Sequence, residues 1–191
     1  MRRLPPGPHG IPPELVERNQ RERLIAAMAE VCAERGYAES SVAEVAKRAG
    51  VSTASFYRQF KDKRECMLVS FDELFERLLA AIEAGCPADA TAAERAREGA
   101  RTAAQLLAAD LPTARLLSIE VLAAGPDGVR AQQAAIERMA RLLERTSGDS
   151  PGSGSGAGWT IVAAMVSMVG GRAAEGSVPT AAELEAIATL F

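Results

Sequence analysis

Residues 41–60, SVAEVAKRAGVSTASFYRQF, constrain the fold more than any other stretch of the chain. They read as two short helices joined by a tight turn. Val42, Val45 and Ala46 fall on one face of the first helix. Ser41 stands at its N-cap, with Glu44 where a capping box needs it. The turn is Ala49-Gly50-Val51, where Gly50 supplies the left-handed conformation that other residues resist. Ser52 caps the second helix. Phe56 and Phe60, four apart, point inward there, while Thr53, Ser55, Tyr57, Arg58 and Gln59 stay outside. Small polar side chains let a backbone approach a DNA major groove, and the tyrosine and arginine reach phosphates and base edges. On spacing alone, the competing reading is an ordinary helical hairpin with an aromatic anchor.

The surrounding chain is expected to be all-α. Its hydrophobic content is 48% with only 4% aromatic, and alanine and leucine dominate, which favours helices packed on helices. Residues 1–13, MRRLPPGPHGIPP, are too rich in proline for a regular element. They read as a flexible arm whose Arg2 and Arg3 either enter a minor groove or do nothing specific. Pro13–Arg18 is a candidate helical lead-in. A helix from about Asn19 to Arg35 buries Leu24, Met28, Val31 and Cys32, with Asn19 and Glu22 as its cap pair. Gly36 ends it in a left-handed cap and Tyr37 follows as an anchor.

After the helix pair, Asp62 and Glu65 cap a long helix that runs to about Ala84. Its stripe of Met67, Phe71, Leu74, Leu78 and Ile82 is too wide for one neighbour, so one rod touches both halves of the molecule. Further helices are expected over 89–109, 111–124, 127–146, 159–174 and about 180–191, with a flexible SGDSPGSGSGAG loop at 147–158. The 159–174 helix is apolar nearly all round. Ala163, Ala164, Ser167, Gly170 and Gly171 permit close approach, and Met165, Met168 and Val169 add apolar area. With the last helix they form either a subunit interface across a two-fold axis or this chain's own core.

The net charge of −3 argues against a nucleic-acid partner until its distribution is examined. Residues 1–64 carry 12 Lys and Arg against 8 Asp and Glu, a balance of +4, and residues 65–191 carry 10 against 17, a balance of −7. The basic end is the end with the helix pair. Cys32, Cys66 and Cys86 are too few and scattered for a disulfide framework, which fits a reducing cytoplasm. Cys32 reads as core, and Cys86, in a Gly-Cys-Pro break, as an exposed thiol. The single histidine, His9, and the lack of paired cysteines leave a metal site without ligands. No cofactor is expected. No apolar run is long enough for a membrane span, and the N-terminal arginines precede no apolar signal core.

Residues 21–71, RERLIAAMAEVCAERGYAESSVAEVAKRAGVSTASFYRQFKDKRECMLVSF, closely resemble the DNA-binding domain of the TetR (tetracycline-repressor) family. The AERGY run, the AGVS turn, the FYRQF helix and the following Asp62-Lys63 are the most specific parts. Past Phe71 the likeness is one of pattern. With the proline-rich start read as a flexible arm (1–18), the resemblance implies a helix-turn-helix domain (19–64) and a helical ligand-binding and dimerisation domain (65–191). It also implies a homodimer formed through the last two long helices, repression by occlusion of a promoter, and release by a small molecule.

By position, Thr53, Ala54 and Ser55 open the recognition helix nearest the bases. The resemblance places Tyr57 on a phosphate and Lys61 or Lys63 on the backbone. Arg58 reaches a guanine edge or holds a phosphate. The Ser41 and Thr53 hydroxyls, with the helix N-terminal amides, offer further phosphate sites. Two such heads at a fixed spacing require a palindromic operator. The resemblance also implies a ligand pocket, for which Phe75, Leu79, Leu117, Val121, Trp159 and Met165 are candidate lining. Glu120 either receives a ligand or pairs with Arg101 or Arg115. Apolar lining implies an apolar or amphipathic effector. An enzyme is disfavoured: no nucleophile–base pair, phosphate loop or metal spacing is present. The alternative is a DNA-binding dimer with no small-molecule sensor, switched by a protein partner or by redox state.

Overall fold

The computed structural model describes residues 12–87, 89–144 and 157–189. Among them the chain forms nine α-helices and one 3-10 turn. These are α1 (Pro13–Arg35), α2 (Val42–Ala49), α3 (Thr53–Gln59), α4 (Lys63–Gly85), α5 (Ala92–Ala109), α6 (Leu111–Ser118), the 3-10 turn Glu120–Ala124, α7 (Pro126–Glu144), α8 (Ala157–Ala174) and α9 (Ala181–Ala188).

The head is α1–α3 closed by the start of α4. Leu24, Ile25, Met28 and Cys32 of α1 meet Val45 and Ala46 of α2, Phe56 and Phe60, and Cys66 and Met67 of α4, all nearly inaccessible to solvent. Phe56 and Phe60 pack with ring centroids 5.5 Å apart, and the Arg21 guanidinium lies 5.0 Å over the Phe60 ring. Ser41 accepts a hydrogen bond from the Glu44 amide while the Glu44 carboxylate accepts one from the Ser41 amide, which completes the capping box. Gly50 is left-handed, φ 64° and ψ 39°, and Ser52 caps α3 by accepting from the Ser55 amide.

The core runs on without a break along α4. Phe71 and Phe75 stack at 6.2 Å, and Phe75 and Ile82 continue into Ile136, Met139 and Leu143 of α7 and Val162 of α8. A second, alanine-rich cluster joins α5 to α9 through Ala96, Ala100, Ala104, Leu184 and Ala188. Small side chains there let the two helices pack closely.

Several elements differ from expectation. The lead-in and first helix are one rod: α1 begins at Pro13, whose missing N–H costs nothing in a first turn. Asn19 and Glu22 are therefore helix interior, not a cap. The arm's residues 1–11 lie outside the described residues. Gly36 has positive φ, 80°, but ψ of 154°, so it ends α1 in an extended turn and not in a left-handed cap. Asp62 caps α4, yet the Glu65 carboxylate accepts from the Lys61 amide and not from that of Asp62.

The expected 111–124 helix breaks at Ile119, where φ −125° and ψ −55° leave the helical region. The Ser118 hydroxyl donates to the Ala114 carbonyl, and Glu120 turns toward other partners. Gly128 explains how α7 can begin so close: a Cβ there would lie 1.9 Å from the Val121 carbonyl oxygen. Most of the predicted 147–158 loop falls outside the described residues, and α8 starts at Ala157. Within α8, Val169 and Gly170 face inward and Gly170 packs against Ile119 and Ser118. Thr160, Ala164, Ser167 and Gly171 form the exposed stripe. Cys86 is half-buried, with its thiol against the Arg95 carbonyl.

Candidate functional site

The outward face of α3 carries Thr53, Ala54 and Arg58, all exposed, and Tyr57, which is 57% exposed. Ser55 is not on that face. It is 7% exposed, its hydroxyl lies 3.0 Å from that of Ser52, and Arg58 Nη2 donates to it at 2.7 Å. Ser55 therefore sits beneath Arg58 and fixes the guanidinium. Ser41 is exposed at the start of α2, but its hydroxyl already donates to Glu44 at 2.8 Å. That hydrogen bond holds the Glu44 carboxyl below the usual range.

The two lysines differ. Lys61 is exposed beside α3. Lys63 is drawn inward: its ammonium donates to the carbonyls of Tyr37 and Ser40 at 2.7 Å each and lies 4.3 Å over the Tyr37 ring. It ties α4 to the turn between α1 and α2. Arg23 donates to the Ala49 carbonyl at the end of α2, and Arg48 bridges Glu30 and Glu34 of α1. The head is thus braced by cations on its sides, and the exposed Lys47 of α2, Arg58 of α3 and Lys61, between α3 and α4, stand outward. Lys47 was not singled out by sequence reasoning. Its place opposite Val45 and Ala46 on α2 is the signal that would have found it.

A second feature lies between the later helices. A cavity of about 100 Å³ is lined by Phe71, Phe75 and Ile82 of α4, Ala100 and Ala103 of α5, Leu117 of α6, Ala135 and Met139 of α7, and Met165 and Val166 of α8. Its polar neighbours are Ser118 and Gln132, and both are committed elsewhere. Gln132 Nε2 donates to the carbonyls of Leu117 and Ser118 at 3.2 and 3.0 Å. Gly99 closes one wall, since a Cβ there would meet Leu143 at 3.0 Å and Ile82 at 3.2 Å.

Of the sequence candidates, Phe75, Leu117 and Met165 line this cavity; Leu79, Glu120, Val121 and Trp159 do not. Trp159 is 42% exposed. Val121 is wholly buried against the start of α7. Glu120 pairs with Arg115 at 2.9 Å, and its other oxygen accepts from the Tyr37 amide at 2.8 Å. The missed walls come from α5 and α7. The helical spacing of Ile136, Met139 and Leu143 marks an apolar face but does not tell a cavity from a filled core.

The family described as bacterial regulatory proteins, tetR family, matches residues 24–69, which spans most of α1, the helix pair and the start of α4. Solved structures share the whole fold. The fatty acid degradation regulator FadR from Bacillus halodurans superposes with a TM-score of 0.74 at 18% identity, over 98% of this chain and 96% of that one. The transcriptional regulator FadR from Bacillus subtilis, in complex with stearoyl-CoA, gives 0.70 at 21% identity, over 88% and 96%. A transcriptional regulator from Rhodococcus sp. Rha1 gives 0.62 at 25% identity, over 89% and 92%. Residues 24–69 thus match the tetR family of bacterial regulatory proteins, and the chain as a whole shares the fold of solved transcriptional regulators.

Proposed function

We propose that this regulator is a cytoplasmic homodimer that represses transcription by binding a palindromic operator and is released by an apolar or amphipathic small molecule, with a long-chain acyl thioester as the class to test first. The head, residues 19–64 with the first turns of α1, reads DNA; residues 65–191 hold the effector and the dimer contact. Thr53 and Ala54 lie nearest the bases, Arg58 reads a base edge from its seat on Ser55, and Tyr57, Lys61 and the N-terminus of α2 at Ser41 meet phosphates. Dimerisation uses the exposed Thr160, Ala164, Ser167 and Gly171 stripe of α8 with Ala182 and Ala186 of α9, whose small side chains suit close packing across a two-fold axis.

One observation carries the effector reading. The cavity is apolar and about 100 Å³, whereas ligand pockets run to roughly 300–1,000 Å³. An acyl chain enters only if the helices around it separate. Those helices include α4, which also closes the head, so occupancy and head position are mechanically tied. Three structures of similar fold are regulators, and one of them holds stearoyl-CoA. Redox control finds less support: burial pushes the thiols of Cys32, Cys66 and Cys86 above their ordinary value.

The test is electrophoretic retardation of a duplex recovered by selection, titrated with stearoyl-CoA and with free coenzyme A in parallel. Release by stearoyl-CoA and not by coenzyme A supports the reading. Retention of the complex under both, with no thermal shift of the free protein, contradicts it.

A further inference from the structure

Glu120 is, among the described residues, the only charged residue that is buried, at 6% exposure. A carboxylate so placed is costly unless each oxygen has a donor. Both do, and the donors come from different parts of the molecule. Oε1 accepts from Arg115 Nη2 at 2.9 Å; Oε2 accepts from the Tyr37 backbone amide, 83 residues away, at 2.8 Å. Arg115 is itself anchored, with Nη1 donating to the Ala173 carbonyl at the end of α8 at 3.1 Å.

On the head side, Tyr37 is held twice. Its amide is fixed by Glu120, and its carbonyl by Lys63 at 2.7 Å. A negative group from the regulatory helices and a positive group from α4 thus grip one residue of the turn that leads into α2. Gly36 lets the chain turn here: its φ is 80°, a conformation that residues with a side chain rarely adopt. Glu120 also follows Leu117 and Ser118, whose side chains line the cavity and whose carbonyls Gln132 holds.

We propose that Glu120 is a positioning residue for DNA binding: anchored by Arg115, it clasps the Tyr37 turn and sets the orientation of the helix-turn-helix against the regulatory helices. The inference rests on the reading above, in which the ligand-free form is the one that binds operator. Breaking the clasp leaves each head free to rotate about the start of α4, and binding then bears the cost of ordering it. Widening the cavity moves Leu117 and Ser118, and the clasp carries that movement to the Tyr37 turn.

The test uses the full chain, with Glu120→Gln, Arg115→Lys and the double variant. Amide exchange across residues 36–41, affinity for the selected duplex, and melting temperature are read together. In wild-type protein the Tyr37 amide is protected at least tenfold over those of Ala38 and Glu39. Each single variant raises Tyr37 exchange at least tenfold and weakens duplex binding at least fivefold, and the double variant loses no more than the worse single. Arg115→Lys keeps the charge, so it reports even if Glu120→Gln does not fold. A Tyr37 amide that exchanges as fast as its neighbours in wild-type protein overturns the clasp. So does a lowered melting temperature with affinity unchanged, or losses that multiply in the double variant. Wild-type protein that binds no duplex sinks the functional reading itself; normal affinity with rapid Tyr37 exchange sinks the clasp alone.

Discussion

Ser55 and Lys63 have side chains of the kind that meet DNA, yet each is committed inside the head, and this sorts the expected effects of substitution. Lys63 donates to two carbonyls of the turn before α2, so Lys63→Ala lowers stability by about 2 kcal/mol, the scale of a charged hydrogen bond, read from denaturant midpoints. Its slope of log affinity against log salt stays at the wild-type value. Lys61→Ala, from an exposed position, leaves stability unchanged and reduces that slope by about 1. Equal slopes for wild-type protein and Lys61→Ala contradict the assignment. Tyr57→Phe weakens binding to all duplexes alike by about fivefold, the loss of one hydrogen bond. Arg58→Ala alters the base preference recovered by selection, and Ser55→Ala alters it in the same direction by unseating the guanidinium. These distinctions were not legible in the sequence. The pattern put Ser55 outside because it is polar, but its hydroxyl is satisfied by Ser52 and Arg58 beneath the surface. A lysine at the first turn of a helix gives no sign of whether it faces phosphate or a neighbouring turn.

Among the elements, the helix pair was the most readable because its signals are local. The box at Ser41 and Glu44, the glycine at position 50 and the cap at Ser52 each involve residues within a few positions of one another. The 111–124 segment was misread for the opposite reason: its break at Ile119 accompanies a carboxylate drawn to Tyr37, far away in sequence. The packing of α1 on α4 carries a prediction about pH. Burial pushes the Cys32 thiol from 9.0 to about 11 and the Cys66 thiol from 9.0 to about 12. The folded state holds these protons longer than the unfolded chain, so their contribution is full below pH 9 and is lost as the pH rises through 11 and 12. Urea midpoints should fall across that range, and less steeply in Cys66→Ala. An identical decline in Cys66→Ala counts against the burial argument. At the cavity, Ala103→Phe fills space that an acyl chain needs. It should abolish release by stearoyl-CoA while leaving operator affinity within about threefold, the scale of a tolerated surface-distant change.

At the scale of the molecule, two features of the chain's charge and apolar pattern acquire a physical meaning. The basic balance of the first 64 residues lies on the part that carries α3. The helix that is apolar nearly all round in sequence shows in the folded chain a stripe of small exposed residues and a 42% exposed Trp159, the face the proposed dimer would cover. The existence of a cavity was not legible, because side chains that line a void and side chains that fill a core share the same spacing. The most direct measurement is selection of bound duplexes from a random pool by the purified full-length protein. The expected result is enrichment of an inverted repeat whose half-sites are about 34–36 Å apart, centre to centre, or a multiple of that. A pool that remains random, or one enriched for a single unpaired half-site, contradicts it.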